Sequence, residues 1–139
     1  MERTAPATPL WTVHDVLAHL VGDVTDIVDG NLDGVATDAW TQAQVERRRG
    51  VPVAELLAEW ERGVPHVESV IDAIPPMMQT MFLTDAVTHE HDIRHAIDRP
   101  GARDSDAIAW LLLSDLGARN LEISSGSLEA AVLTITGGA

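Results

Sequence analysis

The chain contains no cysteine. That excludes disulfides, a thiolate nucleophile and every zinc site built on sulfur. Lysine is absent too, because all 9 Lys+Arg positions are arginine, which removes Schiff-base chemistry and the lysine of a phosphate-binding loop. No tyrosine is present to act as acid or base. The longest strongly apolar run, Ala107 to Leu113, is far short of the roughly 20 residues of a membrane span. The opening stretch, MERTAPATPLW, lacks the apolar core of a signal peptide, so the cytoplasm is the default location. No nucleophile elbow, Gly-rich phosphate loop or nucleophile-base pair is visible. Any chemistry must rest on His, Asp, Glu, Arg, Ser or Thr, or on a cofactor.

What is present points to one folded, acidic domain. The 139 residues suit a single core, and 45% of them are hydrophobic, which argues against disorder. Acidic residues outnumber basic ones by 22 to 9, for a formal charge of −13. Such a field repels phosphate backbones and anionic lipid, so neither nucleic acid nor a membrane is an expected partner. The one basic cluster, Arg47, Arg48 and Arg49, reads as a solvated helix end.

Helical periodicity dominates. Thr12, with Asp15 three residues on, forms a capping pattern for a first helix. Val13, Val16, Leu17, Leu20, Val24 and Ile27 make its apolar stripe, and Asn31 to Gly34 should end it. Residues 38–49 fit a short helix or an ordered loop. A longer helix is expected from Val53 to Ile74, with Leu56, Leu57, Trp60, Val64, Val67 and Ile71 inward. Pro65 inside it predicts a kink or split near Gly63, and Pro75-Pro76 predicts a stop. The next helix should cover about Thr80 to Ile97. Another, capped by Asp104 or Ser105, carries Ile108, Leu111, Leu112, Leu116 and Leu121. The segment from Ala130 to Thr136 (AAVLTIT) reads as a strand in need of a partner. The expected division is a helical bundle over residues 1–125 and a strand or tail over 126–139.

The segment Asp85 to His95 (DAVTHEHDIRH) concentrates the ionisable groups. At about 100° per residue, Asp85, His89 and Asp92 share one side of a helix, bordering an apolar face of Phe82, Ala86, Ile93 and Ile97. His91 and His95 fall opposite, on the expected solvent face. Asp85 and His89 therefore form a candidate metal pair, and Asp92 could orient the His89 imidazole through its other ring nitrogen. A core-edge histidine bonded to Asp85 or Asp92 fits the spacing equally well. His19 is a candidate third ligand, but its own helix places it about 120° from the apolar stripe, where a surface pair with Asp23 reads better. His14 and His66 read as structural or exposed.

Two segments together resemble a known family. Trp11 to Gly22 (WTVHDVLAHLVG) is similar to the W-S/T-x-x-D-V/L-x-x-H-L/V opening of the mycothiol-dependent maleylpyruvate isomerase family, whose members are DinB-like four-helix bundles. Asp85 to Arg94, followed by Arg99-Pro100-Gly101, resembles that family's second metal segment. The resemblance spans most of residues 8 to 125. It implies a mainly α, up-down DinB-like bundle in which His19, Asp85 and His89 bind a divalent metal, with zinc expected for an open nitrogen-oxygen site. It also implies a thiol cofactor, mycothiol, whose thiolate the metal would stabilise. That thiolate would add to a small electrophile, giving cis-trans isomerisation if addition is reversible and transfer if it is not.

The chain departs from the family in three ways. The isomerase carries Glu where Asp85 stands, so a metal should sit closer to this helix. Family members usually carry a helix before the tryptophan motif, and the ten residues before Trp11 are expected to be too few to hold it. Only the strand at Ala130 to Thr136 could represent the C-terminal α/β domain of many members. A fragment, a shortened member, or a protomer whose bundle a second copy completes would each fit. A metal- or ligand-binding module without catalysis, and a purely structural dimerising bundle, are the alternative functions.

Overall fold

The computed structural model describes residues 3–108 and Leu111. The protein is mainly helical. Residues up to Arg99 form one compact unit and those from Pro100 another. In the first unit a two-stranded antiparallel hairpin, β1 (Thr4–Ala5) and β2 (Thr8–Thr12), precedes α1 (Val13–Asp29), α2 (Asp38–Arg47), α3 (Val53–Val70) and α4 (Pro76–Ala96). In the second unit, residues 106–108 and 111 are helical. Ser105 Oγ accepts from Ile108 N at 3.4 Å, as its capping role predicts. The strand at Ala130 to Thr136, the division at residue 125, and Leu112, Leu116 and Leu121 lie outside the described residues.

The start of α1 follows from the sequence. Thr12 Oγ1 accepts from Asp15 N at 3.2 Å, and the Asp15 carboxylate accepts from Thr12 N at 2.9 Å. This reciprocal box satisfies two donors that a helix start leaves open. Gly30, at φ 70°, closes the helix in the left-handed region, where a side chain is disfavoured. The end thus falls slightly before the Asn31 to Gly34 stretch that composition suggested. Residues 38–47 resolve as helix, with Thr37 as the cap that accepts from Trp40 N.

α1 is the hub, packing against α2, α3 and α4. Ala18 and Val21 on α1 and Leu56 on α3 are fully buried, and Leu17, Val51 and Trp60 pack around them. Two glycines allow the close approaches. A Cβ on Gly63 would meet Val24 Cγ1 at 2.3 Å, and one on Gly22 would meet Gln44 Cβ at 2.5 Å. α3 runs through Gly63 and Pro65 without the expected split. Leu57, expected inward, is 47% exposed, whereas Leu56 carries the contact to α1.

α3 ends at Val70, short of the expected Ile74, and a 3-10 turn over Ile71–Ala73 follows. Pro75-Pro76 then begins α4, four residues before the expected Thr80. Proline suits the first helical turn, where its missing N–H costs nothing. Gln79 Nε2 donates to Ile71 O at 2.9 Å and Ile74 O at 2.8 Å, tying the junction. At the other end Asp98 takes φ 57°, and the Arg3 guanidinium donates to Ala96 O at 3.2 Å. Among the described residues no helix is long and apolar enough to cross a membrane.

The hairpin was not foreseen. Its register pairs Thr4 with Thr12 and Ala5 with Thr8, with an irregularity between. Pro6 and Pro9 interrupt any alternation in this stretch, so no strand signal survives. The arginine cluster also departs from expectation. Arg48 is buried and bonds Glu59 at 2.6 Å, and Arg47 pairs with Asp26 at 2.9 Å. Arg47 and Arg49, the latter beside Glu46, stay on the surface as expected.

Candidate metal centre

α1 and α4 bring three side chains to one point. His19 from α1 and Asp85 and His89 from α4 place a ring nitrogen or carboxylate oxygen each within 4.8 Å of one another. His19 Nε2 lies 2.9 Å from Asp85 Oδ2, and His89 Nε2 lies 3.6 Å from Asp85 Oδ1. The two imidazoles meet edge to face with centroids 5.3 Å apart. Among the described residues this is the one such cluster of histidine and carboxylate groups suited to a metal.

The reading of His19 from its own helix as a surface residue is corrected: it is 4% exposed. Because α1 is packed on three sides, its polar side is as enclosed as its apolar side. A similar inversion holds for α4. Its buried residues are Val87, His89, Asp92 and Ala96, whereas Ile97, assigned to the apolar face, is exposed. α4 turns its polar edge toward α1. His91 is half-buried and its Nδ1 pairs with Val87 O at 2.9 Å, so the solvent-face expectation is met by His95 alone. His14 bonds Val51 O at 2.7 Å, and His66 is exposed.

The outer nitrogens of both ligand histidines are held. His89 Nδ1 lies 2.9 Å from Asp92 Oδ2, as expected from spacing. His19 Nδ1 lies 2.6 Å from Gln44 Oε1, a partner that no sequence pattern indicated. Gln44 is fully buried, and its amide nitrogen donates to Asp23 Oδ1 at 3.0 Å and Asp26 Oδ2 at 2.8 Å. Those two acceptors fix which end of the amide faces His19. The oxygen does, so His19 Nδ1 must carry the hydrogen and Nε2 presents a lone pair. Asp92 imposes the same tautomer on His89. Asp26 is in turn held by Arg47, with both of its oxygens 2.9 Å from the same guanidinium nitrogen.

Two lone pairs and a carboxylate facing one another need a cation between them. Asp85 Oδ2 is buried without an aligned hydrogen-bond donor, despite its closeness to His19. Without a metal, a proton fills the role. Burial favours neutral His19, but the adjacent Asp85 carboxylate and the Asp23 charge outweigh it and raise its pKa. Burial likewise disfavours ionised Asp85, yet His19 and His89 hold its pKa below the ordinary carboxylate value. Asp23 is pushed up to about 7 by burial, opposed by the His19 charge and reinforced by the Asp85 carboxylate. A divalent ion would take the place of the shared proton, as ligand sets of this kind require. Two imidazoles and one carboxylate suit zinc and leave a position open.

The trio lies at one side of a cavity of about 650 Å³. β2 supplies Trp11, whose ring centroid is 5.4 Å from that of His19 and 6.1 Å from that of His89. Trp40, Met81 and Phe82 extend the wall. Trp40 is anchored by its Nε1 donating to Asn31 O at 3.0 Å.

No curated protein and no solved structure matches the chain significantly. A family model does, over residues 1–94. Those residues contain the hairpin tryptophan, all three candidate ligands, and the Gln44 and Asp92 side chains that orient two of them. The chain belongs to the mycothiol maleylpyruvate isomerase N-terminal domain family.

Proposed function

We propose that the chain binds zinc through His19, Asp85 and His89 and uses a small thiol of the mycothiol type to isomerise, or to transfer that thiol to, a small electrophile. The observation that carries the metal reading is the tautomer lock: Gln44 and Asp92 each accept from an Nδ1, turning both Nε2 atoms toward the Asp85 carboxylate. Family membership supports the thiol, as does the want of any cysteine in the chain. A zinc ion in such an open site lowers the pKa of a thiol or water in its remaining position.

The chain's own residues do the rest. His19, Asp85 and His89 hold the ion, and Gln44 and Asp92 orient the imidazoles. Trp11, Trp40, Met81 and Phe82 form a wall that limits water beside the ligands. A metal-binding module without turnover is the competing reading. Assays with mycothiol and a panel of electrophiles separate the two. Turnover that disappears on chelation and returns with zinc is expected, and zinc-loaded protein without thiol-dependent turnover would leave only the module.

A further inference from the structure

We propose that this cavity admits an uncharged, largely apolar electrophile with a conjugated double bond and disfavours dicarboxylates such as maleylpyruvate. The fate of that ligand rests on the metal-thiol reading above; its selection rests on the walls.

Three observations support the choice. Trp11, Trp40, Met81 and Phe82 present apolar surface, and the one polar atom of the Trp40 ring is already committed to Asn31 O. A volume of about 650 Å³ suits a small organic molecule and not a bare anion. Beyond the ligands, the ionisable groups on the lining among the described residues are both acidic: Asp23 on α1 and Asp38 at the exposed start of α2.

Carboxylates are ordinarily gripped by arginine, whose planar fork matches both oxygens. No arginine lines this cavity among the described residues. Arg47, Arg48 and Arg94 are engaged instead with Asp26, Glu59 and Glu90. The charge balance agrees. A divalent ion, the Asp85 carboxylate and a thiolate sum to zero. Asp38 then leaves the cavity negative whether or not Asp23 keeps a proton. A dianion would enter against that charge and find no arginine among the described lining residues for its second carboxylate, only the neutral donors of Thr8, Thr41 and Gln42.

A series of esters tests the proposal. Maleate, monomethyl maleate and dimethyl maleate share one skeleton and differ by one charge at each step. Each is titrated into protein loaded with zinc and a small thiol, and read before turnover sets in, while the indole N–H resonances of Trp11 and Trp40 are followed by NMR, with Trp60 as a reference outside the cavity. The diester should shift Trp11 and Trp40, and affinity should fall about ten-fold for each carboxylate restored. Raised salt should narrow the gap. Asp38→Arg should narrow it further, and Asp38→Asn less. Maleate binding as tightly as the diester overturns the proposal, and so does a series in which no member perturbs Trp11 and Trp40. Repeating the titration on metal-free protein separates the two readings. If the charge order persists in a chain that shows no thiol-dependent turnover, the enzymatic reading falls and the cavity's selectivity stands. If turnover is found but the dianion is preferred, the selectivity falls alone.

Discussion

Gln44 settles the protonation of a buried imidazole without carrying any charge, because Asp23 and Asp26 take both of its amide hydrogens and leave only its oxygen for His19. Replacing it with leucine removes that acceptor at similar size. Side chains that orient a ligand commonly cost about 10- to 100-fold in metal affinity when lost. The Gln44→Leu protein should therefore compete for zinc against a chromophoric chelator that much more weakly, with its helical circular dichroism retained. Gln44→Glu restores an acceptor but sets a third carboxylate beside Asp23 and Asp26, so it should recover affinity only in part. Asp92→Ala should show a comparable loss through His89. Legibility differed sharply among these residues. Asp85, His89 and Asp92 lie on one helix, where phase alone sorted them from His91 and His95. His19 came only from the family resemblance, since its own helical wheel pointed outward. Gln44 gave no signal, because its bond spans 25 residues and glutamine in a polar stretch marks no face.

Among the elements, α1 was the most legible and α4 the least. The capping box of α1 depends on two residues three apart and formed as read. Thr12→Ala should cost about 1 kcal/mol, visible as a lowered thermal midpoint. α4 defeats a hydrophobicity argument because its buried side carries His89 and Asp92 against His19 of α1. Its large apolar residues Phe82, Ile93 and Ile97 are less enclosed than His89 and Asp92. The hairpin was hidden by its prolines, yet it delivers Trp11 against both ligand imidazoles. The spacing of α1 from α2 rests on the missing Cβ of Gly22, which would otherwise meet Gln44 at 2.5 Å. Gly22→Ala should cost about 1–3 kcal/mol by overpacking. It should also weaken zinc binding, because the side chain it displaces is the one that holds His19. A variant that melts lower but binds zinc unchanged would show that Gln44 has no part in positioning the ligand.

At the scale of the whole molecule, stability is linked to protons and to metal. Burial opposes ionisation of Glu59, but hydrogen bonds from Arg48 and Thr25 and the Arg48 charge hold its pKa below the usual 4.5. A carboxyl with a depressed folded pKa contributes stability that is fully present above the unfolded value and is lost as pH falls through the folded one. The thermal midpoint of the wild type should exceed that of Glu59→Gln near neutrality, and the difference should shrink below about pH 4.5. A ligand that binds only the folded chain adds roughly 2.7 kcal/mol at a hundred times its dissociation constant. Zinc should therefore raise the midpoint, and chelator should lower it again. Such linkage alone does not say where the ion sits. The most direct test of the centre is the elemental metal-to-chain ratio of purified wild type and Asp85→Ala, each loaded with zinc and desalted side by side. The account predicts one ion per wild-type chain and almost none in the variant. No retained zinc in the wild type, or equal zinc in both, would contradict it.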